Sequence, residues 1–138
     1  MRKKVIYDWY YGQEELFLKV DSYAYGDGLY VGMCSIKDGQ IEPFGDLTVN
    51  IPLGPMEYNE ALIEDMHSKD KINLIKKYEL GKVLPTTRSS GYAIYSMVAF
   101  DLDRLAEYDP EGVDRFKNLH GITEKSRKHR KAKKHEER

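Results

Sequence analysis

At 138 residues and 41% hydrophobic content, the chain is long enough to bury one core and too short for two ordinary domains. Its formal net charge of −1 conceals a division: from Glu124 to Arg138 there are eight Lys/Arg against three Glu, whereas the remainder carries 14 basic and 20 acidic residues. An acidic body followed by a basic tail bears on partners rather than on fold or reaction, and no run approaches the ~20 apolar residues of a membrane span.

The N-terminus runs from Met1-Arg2-Lys3-Lys4 into Tyr7, Asp8 and Trp9 without the apolar stretch of a signal peptide. A cytoplasmic protein with no membrane partner is therefore expected. Cys34 is the single cysteine, so no internal disulfide is available. Its strand-like flanks favour a buried thiol over a nucleophile.

The first half reads as strands joined by tight turns. Val5 to Tyr11 leads into Gly12-Gln13, a type II′ turn signal. Glu14 to Tyr25 follows, with Leu16, Leu18 and Val20 on one face and Lys19 and Asp21 on the other. After Gly26-Asp27-Gly28 come Leu29 to Lys37, then Asp38-Gly39, where both residues tolerate positive φ. Gln40 to Ile51 is a fourth strand, interrupted by Pro43 and Gly45. Four strands in sequential order make an antiparallel meander.

Beyond Pro55 the pattern changes. Tyr58 to Asp65 fits a short strand or one helical turn and is read as strand. Lys69 to Leu80 is read as a helix, with Ser68 at its cap, Ile72, Ile75 and Tyr78 as its stripe, and Gly81 supplying the left-handed residue at its end. Gly91 to Phe100 is apolar on both faces and is read as an interior strand. Two short helices follow, Leu102 to Tyr108 and Pro110 to Leu119, the second signed by Asp109 and Pro110, with Val113 and Phe116 facing the sheet. The expected fold is α+β: an antiparallel meander of five to six strands with two to three short helices packed on one face. It forms a single domain over residues 1–122. Residues 123–138 lack the apolar side chains needed to offset ordering entropy and are read as a flexible basic tail, disordered or a solvated helix when free.

Chemistry-bearing residues are sparse. Glu64, Asp65 and His67 form one mixed cluster, read as solvated rather than metal-binding. Asp101 and Asp103 suit helix capping better than chelation. No metal, cofactor or catalytic residue is expected. Thr86-Thr87-Arg88-Ser89-Ser90-Gly91 supplies hydroxyls, a guanidinium and a glycine. Thr87, Arg88, Ser89 and Ser90 are thus a candidate anion site, although a plain strand-entry turn explains the same residues.

Eleven tyrosines are unusual, with clusters at Tyr7, Trp9, Tyr10, Tyr11 and at Tyr23, Tyr25, Tyr30. Cross-strand packing explains such residues; the functional alternative is a docking face formed by Tyr7, Trp9, Tyr11, Tyr23 and Tyr25. Acidic neighbours such as Asp8, Glu14, Glu15, Asp21 and Asp27 favour a protein there over stacked bases. Asp101, Asp103, Glu107 and Glu111 place carboxylates at intervals able to imitate nucleic-acid phosphates. In the tail, Lys125, Arg127, Lys128, Arg130, Lys131, Lys133 and Lys134 suit counterion-releasing contact with DNA or RNA.

Several stretches combine into a pattern: Leu29-Tyr30-Val31-Gly32, Asp38-Gly39, Leu47-Thr48-Val49-Asn50-Ile51-Pro52, Leu80-Gly81, Ser90-Gly91-Tyr92, and Leu105 to Pro110. The pattern resembles a family of small proteins known as a domain of unknown function (family 4313), met on conjugative and integrated mobile elements of gut bacteria. The Ala61 to Asp65 stretch and the basic tail depart from it. The resemblance implies an accessory gene of a plasmid, transposon or phage, and carries over no catalytic residues. The function expected is a non-enzymatic interaction protein that binds and inhibits a host nucleic-acid-handling defence system, such as a restriction or CRISPR effector nuclease. Alternatives are a DNA- or RNA-binding accessory factor working with the element's transfer machinery through the tail, and a small-ligand or nucleotide module built on Arg88.

Overall fold

The structure, a computed structural model, describes residues 3–122. The tail residues read as nucleic-acid-binding, Lys125 to Lys134, lie outside the described residues. Strands β1 (Val5–Trp9), β2 (Gly12–Ser22), β3 (Leu29–Lys37) and β4 (Gln40–Asp46) form a four-stranded antiparallel sheet in that order. Strands β5 (Thr48–Val49), β6 (Glu60–Ile63), β7 (Gly81–Ser90) and β8 (Ala93–Phe100) form a second, in the order β5-β6-β8-β7. Helices α1 (Ser68–Lys77), α2 (Leu102–Ala106) and α3 (Pro110–Leu119) complete the fold. The fold is α+β, and the 58–65 segment contains a strand, β6, rather than a helical turn.

Among the described residues eight strands appear where five to six were expected, for two local reasons. The Gln40 to Ile51 stretch divides at Leu47, which is fully buried. Its N–H donates to Val31 O in the first sheet at 2.9 Å, while its carbonyl accepts from Glu64 N, just past β6, at 3.0 Å. Leu47 is thus the residue at which the chain changes sheets. Residues 81–90, read in part as a loop, instead form β7, paired with β8 from Gly81↔Phe100 to Ser90↔Ala93. A bulge between Val83 and Thr87 accommodates Pro85, which has no N–H to give a ladder. Only the Met97–Phe100 half of β8 is well covered; Ile94 is exposed, and the distal hairpin projects into solvent.

Turn chemistry explains most strand ends. Asp38 (φ 52°) and Gly39 (φ 77°) form the expected tight turn, with Lys37 opposite Gln40. The first hairpin reverses earlier than Gly12-Gln13: Trp9 pairs with Gly12, leaving Tyr10-Tyr11 as a two-residue loop. The positive φ falls on Gly12 (119°), which carries the chain out of the turn.

Helix α1 differs at both ends from its expected caps. Ser68 is its first residue, and the cap position is His67, in the left-handed region (φ 56°) with no side-chain cap bond. At the other end the left-handed residue is Glu79 (φ 54°), not Gly81. Gly81 is required by space: a Cβ there would lie 2.6 Å from Ala99 O on the neighbouring strand. In α2 and α3 the caps are as expected, with Asp101 accepting from Arg104 N (3.1 Å) and Asp109 from Gly112 N (3.2 Å).

One apolar cluster joins both sheets and all three helices, including Val5, Leu16, Leu18, Val31, Leu47, Ile63, Ile75, Phe100, Leu105 and Phe116. Helix α3 lies on β2, α1 packs on β1 and against β6 and β7, and α2 packs on α3. Val113 and Phe116 are fully buried; each such side chain contributes about 1.5–3 kcal/mol. Cys34 is a buried free thiol whose Sγ donates to Phe17 O at 3.7 Å.

Candidate protein-interaction surface

The β1–β2 turn carries the densest aromatic grouping. Val5, Tyr7 and Trp9 share one face of β1 by period-two alternation, so Tyr7 is buried and Trp9 half-buried. Tyr7 stacks on Trp9 with ring centroids 5.6 Å apart, and Phe44 of β4 meets Trp9 edge-on at 5.3 Å. From the other side His67, at the start of α1, approaches Trp9 edge-on at 5.3 Å. Tyr11 completes the ring of contacts, 4.9 Å from Trp9 and 4.8 Å from Tyr10. Tyr10 and Tyr11, at the loop tip, are 77% and 72% exposed, and Met66 beside His67 is 67% exposed. The Tyr10 N–H donates to Asp70 Oδ2 (3.1 Å), tying the turn to α1.

This corner redistributes the expected docking residues. Tyr7 belongs to the core and is not part of a free face; burial and the nearby Asp70 charge push its phenol up to about 12. Its hydroxyl and Trp9 Nε1 are buried with no hydrogen-bond partner among the described residues. Tyr11 is available, as are Tyr10 and Met66. His67 joins the aromatic corner instead of a cluster with Glu64 and Asp65. Among the described residues no three His, Cys, Asp or Glu side chains group so as to hold a metal ion. Tyr10 was legible as an aromatic neighbour, but the His67 contact spans α1 and β1 and has no local sequence signal.

Tyr23 is half-buried at the joint between the sheets. Its hydroxyl and that of Thr48 lie 2.7 Å apart, and Thr48 Oγ1 also accepts from Val31 N at 3.1 Å. Tyr30 stands edge-on to Tyr23 and donates its hydroxyl to Asp46 Oδ1 (2.7 Å). Burial raises both phenols. Lys71 of α1 is 6% exposed, and burial lowers its ammonium against opposing pulls from Glu64, Asp46 and Asp65. Nothing in the sequence marked that lysine as buried.

Tyr25 lies elsewhere, 87% exposed at the β2–β3 turn. It borders a groove of about 850 Å³ whose walls include Asp27, Met56, Glu57, Tyr58, Glu60 and His120.

The acidic residues of α2 and α3 are mostly engaged. Asp101 caps α2, Asp103 lies 3.5 Å from Lys117 Nζ, and Glu107 accepts from Lys3 (2.7 Å) and Arg104 (3.1 Å). Those bonds hold the Glu107 carboxyl below its usual range. Glu111 is exposed. The row therefore presents fewer open carboxylates than its spacing suggested, although exposed ion pairs of this kind are weak and screened by salt.

The expected anion site is not assembled as a loop. Thr87, Arg88, Ser89 and Ser90 lie along β7 opposite Ser96, Tyr95, Ile94 and Ala93. Strand alternation sends Thr87 and Ser89 to one face and Arg88 and Ser90 to the other, so only the Ser90 hydroxyl shares a face with the guanidinium.

A family model described as a domain of unknown function (DUF4313) matches residues 17–119, well over half of the chain. The chain belongs to that family. The matched span begins inside β2 and runs to the end of α3, so it takes in the second sheet and most of the first, while β1 and the Tyr10-Tyr11 turn precede it. No curated protein and no solved structure matches the chain. Among the described residues no helix is long and apolar enough to cross a membrane.

Proposed function

We propose that this protein is a non-enzymatic interaction protein of a mobile genetic element, which docks through its aromatic corner onto a host nucleic-acid-handling defence protein and inhibits it. The observation that carries the reading is the pair Tyr10 and Tyr11, 77% and 72% exposed, at the tip of a two-residue loop. Loop tips are ordinarily polar. Large aromatics held there over a packed base of Trp9, Phe44 and His67 have the character of binding hot spots: broad contact area at low entropy cost.

Two further features support the reading. His67 holds a left-handed φ of 56°, a conformation that costs a non-glycine residue about 1–3 kcal/mol and clusters at functional positions. Exposed Glu14 lies opposite Tyr7 in the ladder, and exposed Asp8 and Asp65 lie within two residues of Trp9 and His67 in the chain, giving a charge complementary to the basic surfaces with which nucleases hold phosphates.

The test is affinity purification from the host with the tagged full chain and its Tyr10→Ala/Tyr11→Ala variant, each with and without nuclease. Recovery of a nucleic-acid-handling protein that survives nuclease and falls at least about tenfold in the variant, equivalent to about 1.4 kcal/mol, is expected. Recovery that the variant leaves unchanged, or that nuclease abolishes, overturns the proposal.

A further inference from the structure

We propose that the groove beside Tyr25 is the docking site of the chain's own basic tail, residues 123–138. The inference stands apart from the aromatic corner and does not depend on it. The groove, of about 850 Å³, combines exposed aromatic and thioether surface from Tyr25 and Met56 with the carboxylates of Asp27, Glu57 and Glu60. Apolar surface bordered by acids suits lysine and arginine, whose methylene stems lie along apolar groups while their charged heads reach carboxylates.

Most of the wall comes from two places in the chain. The β2–β3 turn supplies Tyr25 and Asp27, and the 50–60 segment supplies Met56, Glu57, Tyr58 and Glu60. Glu60 Oε1 accepts from Glu57 N at 2.8 Å, which fixes this acidic pair in place. Arg88 approaches the lip at Gly54, where a Cβ would stand 3.5 Å from its Nε. Docked cations are therefore directed toward the Asp27, Glu57 and Glu60 side.

The point where the described chain stops favours this occupant. His120, the residue after α3, lines the groove, and its Nε2 lies 2.7 Å from Asp27 O. Gly121 turns the chain with a φ of 65°, and Ile122 is buried. Residue 123 thus starts within three residues of the groove wall, and Lys125, Arg127 and Lys128 follow at once. At about 3.3–3.6 Å per extended residue the whole groove is in reach, and tethering presents the tail at an effective concentration of order millimolar. The tail's eight Lys/Arg against three Glu face a body in which acidic residues outnumber basic ones by 20 to 14.

The experiment uses the full chain, mixed in equal parts from isotopically light and heavy preparations. It is treated with a zero-length carbodiimide that joins lysine amines to touching carboxylates, and read by mass spectrometry. The expected result is light–light and heavy–heavy links from Lys125 or Lys128 to Asp27, Glu57 or Glu60. They should fall at least about fivefold between ionic strengths of about 0.01 M and 1 M, as the screening length drops from about 30 Å to 3 Å.

Because substituting an acid also removes an attachment point, a second readout is the amide resonances of Gly26, Gly28 and Gly54. Their salt-dependent shifts in the full chain should shrink in Glu57→Gln/Glu60→Gln and disappear in Lys125→Gln/Lys128→Gln/Lys131→Gln. Links only to Asp103, Glu111 or Asp114, links only between light and heavy chains, no links, or amide shifts indifferent to these substitutions would each overturn the proposal.

Discussion

Tyr7 shows how much a single hydroxyl decides. Its ring is 1% exposed, and its oxygen is buried with no partner among the described residues. An unpaired buried hydroxyl costs about 1–3 kcal/mol, so Tyr7→Phe is expected to raise unfolding stability by about 1 kcal/mol in urea titrations at neutral pH. Burial pushes this phenol up to about 12, whereas an unfolded tyrosine ionises near 10. Stability is therefore intact below pH about 10 and declines as pH rises from there through about 12, because only the unfolded chain gives up the proton. Tyr7→Phe should flatten that decline; parallel losses in the two proteins would show that Tyr7 has no part in it. The buried position was legible in the alternation Val5, Tyr7, Trp9. Tyr11 is on the surface as expected and Tyr10 joins it because the turn falls on both, a matter of ladder register that the neighbouring glycine did not disclose.

At the scale of elements, α3 is held by a residue that serves two strangers in sequence. Asp109 Oδ1 accepts from Gly112 N at the helix start, while Oδ2 accepts from Val20 N of β2 at 2.8 Å. The carboxylate is buried, and a Cβ at Gly112 would run into it and into Val20 O. Asp109→Ala removes the cap and leaves the Val20 N–H without this acceptor, so a loss of about 2–4 kcal/mol is expected in chemical unfolding. A loss under about 1 kcal/mol would show that β2 finds another acceptor. The cap was readable because Asp109-Pro110 is a local signal. The strand bond was not, since 89 residues separate its partners. The β7–β8 hairpin divides in a comparable way: its proximal half is packed and its distal half is wet. Hydrogen exchange should find Met97 to Phe100 amides protected well beyond those of Arg88 to Ile94; uniform protection along the hairpin would mean that something covers the arm.

For the molecule as a whole, the α+β class, the antiparallel meander and most turn positions follow from short-range patterns, since Gly, Asp and Pro mark reversals within a few residues. The division into two sheets depends on Leu47 binding both ways, and an apolar residue in an apolar run gives no sign of that. The same holds for the functional surfaces. Tyrosine content and charge division were plain, but the grouping of Trp9, Phe44 and His67 and the groove beside Tyr25 arise only when distant segments meet. One consequence concerns the order in which the chain is made. Each ladder of the first sheet joins consecutive strands and closes only short loops, so it is able to form early on the ribosome. The face of β2 that α3 covers, by contrast, waits nearly ninety residues for its lid. During that interval the nascent sheet carries an uncovered apolar side, and a trigger for chaperone capture or premature self-association is thereby built into the order of its elements.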